Sequence, residues 1–153
     1  MMKKFLFVLC VLGFSYAAAS AQTVTGSIGK GSVERGKAAR GTIVLNIPGG
    51  LHVNSSRPNS EYAIATVVKV SGVSGVRVSG LIYPKGKNRK FEFSESTINV
   101  YEGRVSFPFT VTVPASYKGK TIKLNASVKY QACTNEVCYP PKTKNITVTA
   151  NVM

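Results

Sequence analysis

Six stretches of the chain are rich in β-branched residues, and most of them alternate apolar with polar positions in the two-residue period of a β-strand. Gly, Pro and Asn separate the stretches, and no window of about ten residues has the apolar spacing of a helix. The pattern therefore predicts an all-β protein, an immunoglobulin-like antiparallel β-sandwich. The predicted strands cover residues 42–47, 64–70, 76–82, 105–113, 122–130 and 146–152.

Two local features refine this fold prediction. Pro108 interrupts a strand pattern, which indicates an edge strand or a β-bulge because proline cannot donate a ladder hydrogen bond. The segment 85–90 is the most polar part of the chain and is predicted to be a mobile loop. The chain has no Trp and no cysteine pair spaced widely enough to link two sheets, which argues against an antibody-type domain.

The N-terminus has the pattern of a secretory signal peptide. Two lysines precede an apolar run over 5–14, and Ala-Ser-Ala at 19–21 fits a cleavage site. The apolar run is too short to span a bilayer as a helix. The sequence therefore predicts a signal peptide over 1–21 and one soluble, exported domain over 22–153.

The predicted exported domain is strongly basic. It keeps 18 of the 20 Lys and Arg residues against six glutamates, a formal charge of +12. Such a charge favours anionic partners or surfaces, although a soluble, self-repelling surface is the simpler interpretation. The basic residues are scattered and no aromatic-rich RNA-binding signature accompanies them, so we predict no nucleic-acid partner and at most peripheral membrane contact.

Cys133 and Cys138 are the cysteines left once Cys10 departs with the signal peptide, and in an oxidising compartment they can form a disulfide. Four residues between them suit a short hairpin, with residues 128–133 as its incoming strand. A structural staple is one interpretation. A six-residue loop, however, contributes only about 2 kcal/mol by the loop-entropy estimate, against more than about 4 kcal/mol for a loop of ~100 residues. A short, exposed bridge is instead typical of redox exchange.

The chain lacks the residues that a catalytic triad, a phosphate-binding loop or a metal site requires. The chain contains no Asp and no nucleophile-elbow motif, which excludes a Ser-His-Asp triad, and it lacks a Gly-rich phosphate loop followed by a helix. The two cysteines with His52 are too few ligands for a metal site. The sequence therefore predicts neither a cofactor nor a bound metal.

The residues around the cysteines resemble the N-terminal periplasmic domain of the thiol:disulfide interchange protein DsbD. The resemblance rests on Tyr130-Gln131-Ala132-Cys133 and Cys138-Tyr139-Pro140-Pro141, which match that family's Tyr-Gln-x-Cys and Cys-x-Pro-Pro segments. It extends over most of 41–152, with supporting segments at 50–55, 83–86 and 100–103.

The resemblance implies an immunoglobulin-like fold and a periplasmic relay role. The domain would accept electrons from a thioredoxin-like protein or a membrane thiol carrier and reduce oxidised client proteins, as a component of a protein-disulfide reductase. Cys133 and Cys138 would be the exchanging residues, with Cys138 facing the partner. The segment 88–96 would shield them, with Phe91 or Phe93 as the capping aromatic.

Three accessory residues follow from the same resemblance. The segment 52–54 aligns with a stretch near the cysteines, so His52 is a candidate to tune or protonate a thiolate, with Asn54 beside it; a surface histidine without such a role is the simpler interpretation. Tyr139 follows the partner-facing cysteine. DsbD continues beyond this domain whereas this chain stops at Met153, so we expect a free-standing version with a separate electron donor. The alternative is a non-enzymatic binding module with a structural hairpin disulfide.

Overall fold

A computed structural model describes residues 22–153, so the predicted signal peptide lies outside the described residues. In this part of the chain no helix is long and apolar enough to cross a membrane. Residues 22–153 contain twelve β-strands. They are β1 (Thr23–Ile28), β2 (Ser32–Val33), β3 (Ala38–Asn46), β4 (His52–Asn54), β5 (Val67–Gly72), β6 (Arg77–Ser79), β7 (Lys87–Arg89), β8 (Ile98–Tyr101), β9 (Arg104–Thr112), β10 (Thr121–Tyr130), β11 (Ala132–Cys133) and β12 (Lys142–Val152).

The strands form three four-stranded sheets, with the orders β1-β3-β9-β6, β2-β12-β10-β5 and β11-β4-β8-β7. All strand pairs are antiparallel except β2 with β12, which is parallel. The third sheet continues from one end of the other two, because β10 leads into β11 and β8 leads into β9. The predicted all-β, immunoglobulin-like sandwich is confirmed.

The core lies between the first two sheets. Alternate residues of β9 and β10 are buried, and the residues between them are mostly exposed, as the two-residue period requires. Phe107 is fully buried, and its ring meets Tyr83 and Tyr101 edge to face. Burial of each such large apolar side chain contributes about 1.5–3 kcal/mol. The buried residues contributed by these two strands are Val105, Phe107, Phe109, Val111, Ile122, Leu124, Ala126, Val128 and Tyr130.

The six predicted strands are all present with shifted bounds, but the strand predicted over 128–133 is wrong. β10 ends at Tyr130, and Gln131 separates it from β11. β11 then pairs with β4 rather than with the strands flanking β10. The chain therefore changes sheets three residues before the end of the predicted strand, and this change carries Cys133 into the third sheet.

Two other local predictions are tested by the strand pairing, and the edge-strand alternative for Pro108 is wrong. The β-bulge alternative agrees with the structure, because Ser79 pairs with Thr110 whereas the Ile82 N–H donates to the Pro108 carbonyl, one residue out of that register. β9 is not an edge strand, because β3 pairs along its whole length and β6 pairs with Thr110–Thr112. Pro108 fits because it lies beyond the end of β6, where its carbonyl accepts a hydrogen bond from the Ile82 N–H at 2.9 Å, so its missing N–H breaks no strand ladder. The polar segment 85–90 contains a strand, β7, whose residues pair with β8.

Candidate functional site

The two cysteines close a tight hairpin at the end of the third sheet. Cys133 and Cys138 form a disulfide with their Cα atoms 4.0 Å apart. The Thr134 N–H donates to the Val137 carbonyl at 2.8 Å, and the Thr134 Oγ1 accepts from the N–H groups of Glu136 and Val137. A threonine that binds the backbone ahead of it stabilises a turn of this kind. The predicted hairpin and disulfide are therefore present.

The two sulfur-bearing residues differ in exposure. Cys133 is fully buried, whereas Cys138 is exposed on the outgoing arm of the hairpin. After Cys138, the Tyr139 N–H donates to the Ala132 carbonyl at 2.8 Å, while its side chain is 45% exposed. The two prolines that follow belong to no strand. One face of the disulfide is therefore accessible from solvent through Cys138.

His52 lies directly across the sheet from Cys133. The two residues are register partners in the β4–β11 pair, which places their Cβ atoms about 5 Å apart on one face. His52 is only 4% exposed, so the interpretation of it as a surface histidine is wrong. Its ring stacks on Phe91, with centroids 4.1 Å apart and an interplanar angle of 12°.

The buried imidazole of His52 does not use its full hydrogen-bonding capacity. Its Nε2 atom has no hydrogen-bond partner among the described residues. Burial lowers the pKa of His52, and the negative charge of Glu102 opposes this only in part. Glu102 itself is held by a two-pronged hydrogen bond from Arg89, at 3.1 and 2.9 Å, which lowers its pKa. The imidazole is therefore neutral at neutral pH.

The loop between β7 and β8 covers this side of the hairpin. Phe91 is buried and stacks on His52, and Phe93 stacks on Phe91 with centroids 5.3 Å apart. Phe93 is 41% exposed and lines a cavity of about 180 Å³ together with Cys138. The structure thus brings both candidate capping aromatics to the site, in different positions: Phe91 packs on His52 and Phe93 lies beside the exposed cysteine.

Asn54 and Gln131 hold the hairpin base through their amides. Asn54 is buried, and its amide nitrogen donates to the Gln131 Oε1 at 3.0 Å and to the Ile64 carbonyl at 3.1 Å. The Gln131 Oε1 also accepts from the Ile64 N–H at 3.3 Å. Buried amides satisfied in this way fix a local geometry, since breaking one leaves unpaired polar groups. The network sits at the point where the chain changes sheets.

Sequence reasoning missed two residues of the site. Gln131 stood within the motif, yet its amide network was not foreseen because its partners lie 77 and 67 residues away. Tyr62 is 88% exposed and lines the cavity beside Cys138. No local signal identifies Tyr62, because it lies in an irregular segment between β4 and β5. Within residues 22–153, Tyr139 is the one predicted site residue whose side chain makes no hydrogen bond or aromatic stack with this cluster and does not line its cavity.

Comparison with solved structures bears on the fold of this chain. One solved structure that resembles the chain is the N-terminal periplasmic domain of ScsB from Proteus mirabilis, at 14% identity and a TM-score of 0.54, over 90% of this chain and 49% of that one. The chain thus spans about half the length of that relative. A type I cohesin from Pseudobacteroides cellulosolvens aligns at 13% identity over 85% of this chain and 92% of that chain, with a TM-score of 0.38 that is too low to bear on the fold.

Among curated protein sequences, none matches the chain. The model of the N-terminal domain of the thiol:disulfide interchange protein DsbD matches residues 26–150, which include both cysteines, His52 and the aromatic loop. Because this match covers most of the chain, the protein belongs to the DsbD N-terminal domain family of thiol–disulfide interchange domains.

Proposed function

We propose that this protein is a periplasmic thiol–disulfide exchange domain, exported by the signal peptide over 1–21. It takes reducing equivalents from a thioredoxin-like protein or a membrane thiol carrier and passes them to oxidised client proteins. The observation that carries this proposal is the disulfide between exposed Cys138 and buried Cys133. Such a bridge offers one sulfur to an attacking thiolate and keeps the other as an internal leaving group.

The exchange consists of two half-reactions, and each half-reaction consists of two thiol–disulfide exchange steps. A donor thiolate attacks the Cys138 sulfur, which forms a mixed disulfide and releases Cys133 as a thiolate. The second donor thiol then attacks the donor's own sulfur in the mixed disulfide, so the donor leaves oxidised and the domain keeps two electrons as a dithiol. In the second half-reaction Cys138 attacks a client disulfide, and Cys133 resolves the mixed disulfide by restoring the Cys133–Cys138 bond.

The aromatic loop limits access to this exchange. Phe93 and Cys138 line the same cavity, so the Phe93 ring narrows the approach of a partner to the sulfur from that side. Phe91 anchors the loop by stacking on His52. Exposed Tyr139 lies next to Cys138 in the chain and offers the partner an apolar contact. Asn54 is a positioning residue, because its amide fixes Gln131 at the base of the hairpin.

His52 is proposed to exchange a proton with Cys133. Its neutral ring lies across from Cys133 and has an unpaired nitrogen, so it can donate a hydrogen bond to the released thiolate or accept the thiol proton. In the Cys138→Ser background, His52→Phe should raise the pKa of the Cys133 thiol, measured from the ultraviolet absorbance of the thiolate. An unchanged thiol pKa would exclude this role for His52 without touching the exchange proposal itself.

The reduction potential of the cysteine pair tests the proposed function. Equilibration with glutathione should give a value less negative than about −300 mV, as found for exchanging bridges. A value below about −300 mV would identify a structural bridge and favour the alternative of a non-enzymatic binding module.

Trapping tests the order of attack. Cys133→Ser keeps the exposed thiol and removes the resolving one, so it should accumulate mixed disulfides with partner proteins in cells. Cys138→Ser is the matched control, because its remaining thiol is buried, and it should trap few. If neither variant yields a mixed disulfide when it is abundant in an oxidising compartment, the relay proposal fails.

A further inference from the structure

Large apolar side chains are concentrated on the surface around Cys138. In the part of the chain that the structure describes, eight such side chains are exposed. Two of them, Tyr62 and Phe93, line the cavity that Cys138 also lines. Two more, Val137 and Tyr139, flank Cys138 in the chain. Half of the exposed large apolar side chains thus surround one sulfur, and an exposed apolar cluster with a polar border is a feature of protein-binding sites.

Glutamates border the same surface. Three segments contribute to it, residues 60–63, 91–96 and 134–139, and they contain four glutamates and neither Lys nor Arg. All four glutamates are exposed, and none forms an ion pair with another described residue. The other two glutamates of the chain, Glu34 and Glu102, are each paired with basic side chains. The four unpaired glutamates are Glu61, Glu92, Glu95 and Glu136.

The charge of this surface is opposite to that of the whole domain. Residues 22–153 have a formal charge of +12, whereas the three segments together have a formal charge of −4. The basic residues nearest to them in the chain are Lys90, whose ammonium group donates to the Glu95 carbonyl, and Lys142 at the start of β12. The electrostatic screening length is about 10 Å at ~0.1 M salt. A partner at the cavity therefore responds to these glutamates more than to the lysines of the distant sheets.

We propose that this surface docks a thiol-donor protein whose reactive cysteine lies in an apolar surface bordered by lysines or arginines. The inference rests on the proposed exchange function and adds the chemistry by which the donor is recognised. The rings of Tyr62 and Phe93 contact the apolar part of the donor, and the glutamates face its basic border. Complementary charge of this kind raises the rate of encounter and excludes partners of the wrong charge. The net charge of the domain would favour an acidic partner, whereas the local charge favours a basic one.

Two synthetic peptides test the charge of the partner. Each has one cysteine beside a phenylalanine, and the remaining residues are lysines in one peptide and glutamates in the other. Both are supplied as mixed disulfides with thionitrobenzoate. In the Cys133→Ser protein, the Cys138 thiolate attacks the peptide sulfur, so a disulfide forms between Cys138 and the peptide and the coloured thionitrobenzoate anion leaves.

The lysine peptide should react faster with the folded protein. Each rate is divided by the rate at which the same peptide disulfide reacts with mercaptoethanol, an uncharged thiol, which corrects for intrinsic reactivity. At about 0.1 M salt the corrected rate of the lysine peptide should exceed that of the glutamate peptide roughly tenfold. The difference should disappear near about 1 M salt, where the screening length is only about 3 Å.

A triple variant and its matched control locate this preference. In the same Cys133→Ser background, E61Q/E92Q/E136Q removes one carboxylate from each segment and should lower the ratio of the two rates to less than about twofold. The control T25K/S106K/N125K raises the net charge by the same amount at exposed positions of the two large sheets and should keep the ratio of the parent. The thiolate fraction of Cys138 affects both peptides equally and cancels in the ratio.

Tyr62→Ser tests the apolar part of the docking surface. It should slow the reaction of both peptides roughly threefold, because the phenylalanine of each peptide loses an apolar contact. Ile82→Ser is the control, since it removes an exposed apolar side chain that lines a different cavity, and it should slow neither peptide.

Three results would overturn the proposal. The glutamate peptide reacts as fast as the lysine peptide, the two triple variants change the ratio equally, or Tyr62→Ser reacts as fast as Ile82→Ser. Thermal melting checks that the variants remain folded, which is expected because every added substitution is at an exposed position. Failure of the exchange function itself is detected separately, by the reduction potential and by trapping in cells, so the two failures are distinguishable.

Discussion

The two sulfurs of one disulfide occupy different environments at the residue scale. Cys133 is held in the third sheet by its pairing with His52, whereas Cys138 lies on an arm that belongs to no strand. Access of a partner thiol determines which sulfur is attacked, because exchange requires direct contact with the sulfur. The asymmetry of the pair is therefore a consequence of the fold and not of the residue types.

Single cysteine variants should differ in thiol reactivity. Cys133→Ser leaves the exposed Cys138 thiol, and Cys138→Ser leaves the buried Cys133 thiol. We expect the Cys133→Ser protein to react with an uncharged aromatic disulfide at least about tenfold faster, because reactivity follows exposure. Stopped-flow absorbance measures the rates, and denatured samples of both variants serve as controls that should react similarly. Equal rates in the folded proteins would contradict the assigned asymmetry.

His52 should make the stability of the protein pH-dependent. Burial lowers its pKa in the folded protein, so the unfolded chain binds more protons below its ordinary pKa of about 6.5. The free energy of unfolding is therefore highest above that pH and decreases as pH falls through it, by at most about 1.4 kcal/mol per pH unit. His52 is the single histidine of the chain, and glutamates titrate lower, so the window between about pH 7.5 and 5.5 reports on it.

The variant His52→Phe isolates this effect. A phenyl ring can keep the stacking on Phe91 and removes the buried nitrogen that has no partner, which costs about 1–3 kcal/mol when unsatisfied. We expect its free energy of unfolding at pH 7 to equal or exceed that of the parent and to stay flat between about pH 7.5 and 5.5. Urea unfolding at several pH values measures this. A parallel decline of both proteins would assign the pH dependence to other groups.

At the scale of elements, the β7–β8 loop is positioned by its aromatic stack. Phe91 is buried, so its replacement by Ala would cost about 3 kcal/mol and perturb the loop as a whole. Phe93 is the more selective probe because it is partly exposed and lines the cavity of Cys138. Phe93→Ala should raise the rate at which dithiothreitol reduces the disulfide by roughly threefold or more, since exchange is limited by access.

The control for this loop variant is Ile82→Ala, which removes an exposed apolar side chain from a segment beside β9. It should leave the reduction rate unchanged, and both variants should keep the unfolding midpoint of the parent within a few degrees. If dithiothreitol reduces the disulfide of the Phe93→Ala variant no faster than that of the Ile82→Ala variant, the loop does not shield the disulfide.

Element prediction succeeded where one strand carries a full alternating pattern. β9, β10 and β12 were found because they are long and have one buried face. β1 was missed because Gly26 interrupts its pattern; the glycine is needed there, since a Cβ would lie 2.4 Å from a methyl group of Val148. β4 was missed because its three residues are all buried and show no alternation. Both strands are determined by the strands and side chains that pack against them, and not by a pattern in their own residues.

For the whole molecule, the core does not depend on the disulfide. Most of the buried cluster lies between the first two sheets, with Val53, Tyr101 and Ala132 added from the third, whereas the bridge closes a loop at the end of the third sheet. A loop of this length contributes about 2 kcal/mol through the entropy of the unfolded chain. The fold should therefore survive reduction, as the proposed exchange reaction requires.

Reduction with dithiothreitol tests this directly. We expect the free energy of unfolding in urea to decrease by about 2 kcal/mol, with the far-ultraviolet circular dichroism of the folded state unchanged. A Cys133→Ala/Cys138→Ala variant, which has no bridge, should not respond to the reductant. Unfolding of the parent on reduction, or a loss above about 4 kcal/mol, would mean that the hairpin bridge supports the sandwich itself.

The sequence by itself determined the all-β class, the long core strands, the cysteine hairpin and the family, because each depends on local period, spacing or contiguous motif residues. Tertiary structure alone decided the burial of His52, the amide network of Gln131 and the unequal exposure of the two cysteines. These features arise where the chain changes sheets after Tyr130 and meets β4 and the β7–β8 loop. Contacts between residues separated by 39 to 77 positions leave no periodic signal in one sequence, so only the folded chain reveals them.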